Sequence, residues 1–296
     1  MKIKLQGHIL ALMTIIIWGV TYIASTILLE DYNAIQVIVF RLLIAYVVLW
    51  AIKPKLNPPT NLKNELLFIL LALFGVVVYF LFENAALAVA DASPANVSII
   101  ISFAPVATTI GVAIVSKEEK LTLFKIIGFF VAIAGVVLVV FNGAVVLKIN
   151  PKGDFLSIGA MLSWAIYSVI SPYILKRFDN ILLTRRCTFY SLIPLTIITL
   201  IRDGVPSIEP LLNIRSGGSL ILLGILGSGL CYLWWNKAIK TIGVVITTNY
   251  LYLSPFVTMI SAWLILDNDI SIMGIIGALL IIGGIVVSNK QAKNKA

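Results

Sequence analysis

Ten apolar runs, each about as long as a bilayer-spanning helix, follow one another along this chain with only short polar breaks between them. They fall at 7–28, 33–52, 65–88, 93–115, 122–141, 154–175, 181–201, 217–238, 243–265 and 270–288. The hydrocarbon core of a membrane requires roughly 20 apolar residues per helix. The spacing therefore predicts an all-α membrane protein with ten transmembrane helices. A water-soluble fold fails on composition, because 60% of the 296 residues are hydrophobic and 12% charged. Soluble domains carry about 25% charged residues. A membrane β-barrel fails on pattern, since its strands alternate polar and apolar residues. The first run is too long for a cleavable leader and lacks a small-residue cleavage site, so it reads as the first spanning helix.

Charge placement predicts orientation. The formal net charge is +9, but the basic residues form no stripe that would suit nucleic acid. They gather in the breaks, where the excess of Lys and Arg marks the cytoplasmic side. With the N-terminus inside, fifteen of them lie in inner segments, against four outside: Lys148, Lys152, Arg202 and Arg215. Both termini are thus expected in the cytoplasm, with the chain in the cell membrane.

The second half repeats the first. "QGHILALMTIIIWGVTY" (6–22) matches "KGDFLSIGAMLSWAIYS" (152–168), aligning Trp18 with Trp164. "GVVVYFLFENAAL" (75–87) matches "GSGLCYLWWNKAI" (227–239), aligning Gly75 with Gly227 and Asn84 with Asn236. "SIIISFAPV" and "TNYLYLSPF" then place Pro105 opposite Pro255. Two units are predicted, 1–145 and 150–290, of five helices each. An odd number of helices makes the second copy enter the membrane from the opposite side, the inverted repeat used by many secondary transporters. Each proline lies mid-span and is expected to kink its helix.

These features together resemble the EamA-type branch of the drug/metabolite transporter superfamily. The resemblance rests on the duplicated five-helix unit, the Trp of each first helix, Phe40-Arg41 in the second, and the proline of each fourth helix followed by an acidic end ("FAPV…SKEEK", "LSPF…LDND"). It implies a secondary transporter, an exporter of amino acids or related small metabolites, working by alternating access without ATP. The chain departs from the pattern at "RRCTFY", where Cys187 stands opposite Arg41.

The residues themselves exclude several chemistries. There is no GxxxxGK[ST] for nucleotide phosphates and no HExxH. The one histidine, His8, reads as an interfacial polar residue, and the cysteines Cys187 and Cys231 lack metal or redox spacing. No cofactor, metal or nucleic-acid partner is expected; the partners are a small-molecule substrate and the bilayer. Proton coupling and the choice between monomer and homodimer stay open. The alternative is a membrane-embedded enzyme acting on a lipid or lipid-linked substrate. That chemistry needs clustered His, Asp or Glu near one interface, and the sequence shows none.

Intramembrane polar groups are costly and mark function. Trp18, Tyr22, Tyr79, Asn84, Asn96, Trp164, Tyr167, Tyr232, Trp235, Asn236, Asn249 and Tyr250 occupy matching places in the two halves and are candidate substrate-binding residues, with Glu83. Arg41, Pro105 and Pro255 are candidates for structural or gating roles. Arg41 and Glu83 both fall in the outer half of consecutive helices and are expected to pair. Arg185 and Arg186 are expected to snorkel to the cytoplasmic interface. Gly128, Gly135, Gly277, Gly283 and Gly284 are expected to permit close helix packing.

Overall fold

A computed structural model describes residues 2–56, 58–89, 94–116, 122–141, 150–266 and 271–289. Among these residues the regular elements are helices, with no strand. Eight helices are long and apolar enough to cross a membrane, and two shorter apolar ones accompany them. In chain order they are α1 (Lys2–Leu29), α2 (Ala34–Ile52), α3 (Leu62–Leu87), α4a (Pro94–Ile101) with α4b (Ala104–Ser116), and α5 (Leu123–Phe141). The second half holds α6 (Pro151–Leu175), α7 (Asn180–Arg202), α8 (Ile214–Ile242), α9a (Val244–Asn249) with α9b (Ser254–Leu266), and α10 (Ile272–Ser288). The acidic ends after α4b and α9b lie outside the described residues.

Short polar side chains decide where helices begin. The Asn33 carboxamide accepts from the backbone N–H of Ile35 and Gln36, and the Gln36 side chain accepts from the Asn33 N–H. Asn61, Asn150 and Ser271 cap α3, α6 and α10 in the same way. Each cap satisfies helix N–H groups that have no partner within the helix. At the other end of α8, Gly243 takes φ 87°, a left-handed conformation that costs glycine little. It lets α9a start one residue later.

Where kinks were expected, the helices break outright. α4a stops at Ile101 and α4b restarts at Ala104; α9a runs into a 3-10 turn, Tyr250–Leu253, before α9b restarts at Ser254. Pro105 and Pro255 are each the second residue of the restarted helix. A helix needs no N–H donor there, so proline fits without loss. A second irregularity has no counterpart in the sequence reading. α3 widens to a π-helix over Leu73–Val78, and α8 does so over Leu222–Leu230. These are the segments that align Gly75 with Gly227.

The packing pairs map onto one another when the halves are exchanged. α1 packs on α8 and α9b, while α6 packs on α3 and α4b; α2 packs on α8, while α7 packs on α3. α2 with α7, and α5 with α10, are pairs that map onto themselves. Contacts at the helix ends give the relative directions. Asn84 near the end of α3 donates to Ala34 O at the start of α2. Ala86 of α3 belongs to a cluster against which Leu156, in the second turn of α6, also packs. Hence α6 begins at the end of the bundle where α1 finishes, and the two run in opposite directions. We call this the Asn33 end; the opposite one, where Lys53 meets Asp179 at 2.7 Å, is the Lys53 end.

α5 and α10 form the most extensive pair. A Cβ placed on Gly135 would lie 2.5 Å from Gly277 O, and one on Gly277 would lie 2.6 Å from Gly135 O. Gly128 and Gly284 meet in the same reciprocal way. Gly283 departs from the expectation: nothing lies within 4 Å of its added Cβ. It faces away from the seam.

Candidate functional site

A cluster of aromatic rings occupies the middle of the bundle, where α1, α3, α6 and α8 meet. The Trp18 ring lies 5.4 Å from Trp164, 5.6 Å from Tyr232 and 5.1 Å from Trp235. Trp164 is also 5.2 Å from Tyr79 and 5.3 Å from Tyr167. Edge-to-face and tilted pairs at such distances contribute about 0.5–1.5 kcal/mol each beyond their burial, so the cluster is a rigid wall. The π-helical segments hold it. In a π-helix the hydrogen-bond register shifts locally and carbonyls become free to accept from side chains. The Trp18 indole N–H donates to Gly227 O at 3.0 Å, the Tyr232 hydroxyl to Gly75 O at 2.9 Å, and the Ser163 hydroxyl to Phe74 O at 2.6 Å.

This arrangement breaks the repeat symmetry at one bond. Trp164 is the counterpart of Trp18, and Gly75 that of Gly227, but Tyr232 occupies the Gly75 carbonyl. The Trp164 indole N–H is buried with no partner. Its counterpart position to Tyr232 is Phe80, which has no hydroxyl to offer. A buried donor without an acceptor costs about 1–3 kcal/mol, and Trp235 Nε1 is left in the same condition.

The cavity beside these rings is lined by Trp18, Tyr22, Arg41, Tyr79, Glu83, Trp164 and Tyr232, joined by Phe80, Thr21 and Ser25. The two broken helices contribute Ile101 and Ser102, and Leu251 and Ser254, from their breaks. Its free volume is about 50 Å³, room for a few water molecules at roughly 10–15 Å³ each. Leu87, near the end of α3, places its extension toward the Asn33 end. Toward the Lys53 end the bundle is closed. Trp235 is fully buried there, the Tyr167 hydroxyl donates to the Asn236 carboxamide at 2.8 Å, and Asn236 donates to Thr184 at 3.2 Å.

Arg41 and Glu83 share this cavity without forming the expected pair. Among the described residues no carboxylate comes within 4.0 Å of the Arg41 guanidinium. Its Nε donates to Ser228 Oγ at 2.7 Å, and its Cζ lies 4.3 Å from the centre of the Phe80 ring. The Tyr79 hydroxyl donates to Glu83 Oε1 at 2.7 Å. Ser228 belongs to the π-helical part of α8, which sequence reading missed; its Gly-Ser-Gly setting (227–229) was the available signal. The reason for the missed pairing is geometric: Ser228 and the Phe80 face already engage the guanidinium.

Six of the other residues singled out in the sequence lie away from the cavity. Asn84 reaches the start of α2 at 3.5 Å. Tyr167 and Asn236 bind each other. Asn249 donates to Ser288 Oγ and Asn289 Oδ1 at 3.2 and 2.7 Å, tying the α9 break to the end of α10. The Tyr250 hydroxyl lies 2.8 Å from His8 Nδ1, so this histidine joins α1 to the α9 break. Trp235 backs the rings without lining the cavity. The Asn96 side chain lies outside the described residues. Arg185 does not snorkel: it is 5% exposed and donates to the carbonyls of Lys53 and Lys55 at 3.0 and 2.7 Å. Cys187, opposite Arg41 in the repeat, is buried against Phe68 O at 3.8 Å. Among the described residues no group of three or more His, Cys, Asp or Glu could hold a metal ion.

Comparison with known proteins adds to this geometry. The profile of the EamA-like transporter family matches residues 5–141 and again 151–290. An uncharacterized transporter of Archaeoglobus fulgidus is 28% identical over 295 residues, covering 97% of this chain and 98% of that protein. The uncharacterized transporter YyaM of Bacillus subtilis is 29% identical over 235 residues, covering 77% of this chain and 74% of its own. One solved crystal structure superposes with a TM-score of 0.78 at 18% identity, over 97% of this chain and 99% of that one. At that identity the likeness concerns the fold.

Proposed function

This chain belongs to the EamA-like transporter family, and we propose that it exports amino acids or related small metabolites across the cell membrane by alternating access at the cavity beside Trp18 and Trp164. It is a multi-pass membrane transporter rather than an enzyme. In the proposed arrangement ten helices cross the bilayer as two inverted repeats, and both termini are cytoplasmic. The exchange symmetry of the packing pairs and the opposed directions of α1 and α6 support the inversion. The observation that carries the reading is the shared cavity itself. Matching residues of both halves, Trp18 with Trp164 and the breaks of α4 and α9, meet around it, as in transporters whose discontinuous helices line a site near the midplane.

The chemistry of the lining favours a small polar solute with an apolar portion. Rings offer faces and edges for the apolar part, while the Trp164 N–H, Arg41 and Glu83 offer one donor, one cation and one carboxylate. A volume of about 50 Å³ is too small for such a solute. Loading therefore requires the α1 and α6 walls to move away from α3 and α8. The helix breaks and π-segments provide the places where such movement costs least, because backbone hydrogen bonding there is already irregular. Packing around Trp235 and Asn236 closes the Lys53 end, so the described state leans toward access from the Asn33 end. Glu83 is the group available to carry a proton during the exchange.

Uptake of a labelled amino-acid and metabolite panel into proteoliposomes, with and without a pH gradient, tests the proposal. At least one small solute should move, and Glu83→Gln should remove any pH dependence while leaving the protein folded. Failure of every small solute to move with wild-type protein sinks the proposal.

A further inference from the structure

Another cavity lies at the Lys53 end, on the periphery between α2 and α7, and the transport reading makes no use of it. Tyr46, Trp50, Leu56, Arg185, Arg186 and Phe189 line about 160 Å³ of free space. We propose that this pocket binds an anionic phospholipid, with its phosphate at Arg185 and Arg186 and an acyl chain lying along α2 and α7.

Charge is the first observation. Arg185 donates from two of its five N–H groups to uncharged backbone carbonyls, those of Lys53 and Lys55. Its Cζ sits 4.3 Å from the centre of the Trp50 ring. Among the described residues no carboxylate lies within 4.0 Å of it, so its positive charge is buried and not neutralised. Arg186 donates to Pro58 O at 2.9 Å and stands 3.8 Å from Glu65 Oε1. That carboxylate, which also accepts at Oε1 from the Thr60 N–H and hydroxyl at 2.7 and 2.9 Å and at Oε2 from the Tyr190 hydroxyl, offsets the Arg186 charge. Among the described residues, Asp179 at this end pairs with Lys53. The pocket therefore carries, among the described residues, one unmatched positive charge, that of Arg185 beside the Arg186–Glu65 ion pair, and the remaining donors of its planar guanidinium match phosphate oxygens.

Surroundings select the source of that phosphate. Tyr46, Trp50 and Phe189 form an aromatic rim, the kind of residue enriched where lipid headgroups meet hydrocarbon. From the rim an exposed apolar stripe runs into the depth of the bundle, through Val47 and Leu43 on α2 and Ile193 and Ile197 on α7. Phe189, Ile193 and Ile197 recur every four residues on one face, reaching about 12 Å at 1.5 Å per residue. A soluble anion would use the arginines and leave the stripe idle. A phospholipid uses both, and basic pockets between membrane helices are sites of this kind.

The test uses the full-length purified protein. Native mass spectrometry after exchange into equal phosphatidylglycerol and phosphatidylcholine should show the anionic lipid retained at least about tenfold more, the ratio expected of one added charge-assisted contact. Phosphatidylglycerol at a hundredfold excess over its dissociation constant should raise the thermal midpoint by roughly 5 °C, while inorganic phosphate should not. Arg186→Gln should abolish the preference. Arg215→Gln, which removes an equal charge from an exposed pair at the other end, should preserve it. Equal retention of both lipids by the wild type overturns the proposal whatever the variants do. So does an Arg186→Gln protein that keeps the preference, or a full midpoint shift with inorganic phosphate alone.

Discussion

Two adjacent glycines of α10 should respond oppositely to the same substitution. A Cβ on Gly284 would stand 2.5 Å from Ala132 N, 2.7 Å from Gly128 O and 2.8 Å from Ala132 Cα. These are backbone atoms of α5 and cannot rotate aside. Carbon–oxygen contacts normally settle at about 3.3–3.6 Å, so α5 must retreat locally by roughly 0.6–0.9 Å. A gap of about 0.5–1 Å forfeits a quarter to a half of each neighbouring dispersion contact, and overpacking costs about 1–3 kcal/mol. Gly283, one residue earlier, has nothing within 4 Å of its added Cβ. Both substitutions gain the same helix propensity, so their difference isolates the seam. In thermal unfolding of the detergent-purified protein, followed by circular dichroism, Gly284→Ala should melt roughly 2–6 °C below Gly283→Ala. Gly283→Ala should match or slightly exceed the wild type. Midpoints within 1 °C of each other, or a lower one for Gly283→Ala, would refute the backbone-to-backbone seam.

Three further outcomes are expected. At equal membrane abundance, Trp18→Ala or Trp164→Ala should lower the initial transport rate at least about tenfold, more than Phe129→Ala in the α5–α10 core; Phe129→Ala proving the worst of the three would remove the rings from the transport path. Cytoplasm-reporting fusions at residue 296 and near residue 58 should be active and one near residue 148 silent, and an active fusion at 148 breaks the five-plus-five arrangement. The third concerns Asp179, whose carboxyl the Lys53 hydrogen bond holds below the usual carboxylate range. A depressed value contributes stability above the unfolded pKa of about 3.9, and that contribution disappears as pH falls through the folded value. Both side chains are nearly half exposed, so Asp179→Asn should cost no more than about 1 kcal/mol at pH 7. The wild-type and variant melting curves should draw together as pH falls below about 3.9; a gap that does not shrink at all below that pH would show that the ion pair is not its source.

Much of the fold was legible because a bilayer reads hydropathy residue by residue. Helix positions follow from apolar length, but the caps Asn61 and Asn150 start α3 and α6 three residues before their apolar runs at 65 and 154. Trp18 and Trp164 stood out as landmarks of the repeat and do meet in the structure. The candidate site was legible only in part. Asn84, Asn236 and Asn249 are as polar as any lining residue, yet they are spent on helix-to-helix contacts at 3.5, 2.8 and 2.7 Å. Single-residue polarity cannot tell a packing bond from a vacant one.

By itself, then, the sequence determined that this chain is helical and apolar along its length, and that its second half copies the first. Only the tertiary structure decided which faces turn inward. In a soluble helix the apolar stripe points to the core, but here lipid and protein interior are both apolar, so Ile193 on the surface and Leu195 in the core look alike. The same holds for charge. That Arg41 takes Ser228 and the face of Phe80 instead of Glu83, and that Arg185 turns onto Trp50, depends on residues brought together by α2 meeting α8 and α7. No spacing along one helix records which neighbour will stand beside it.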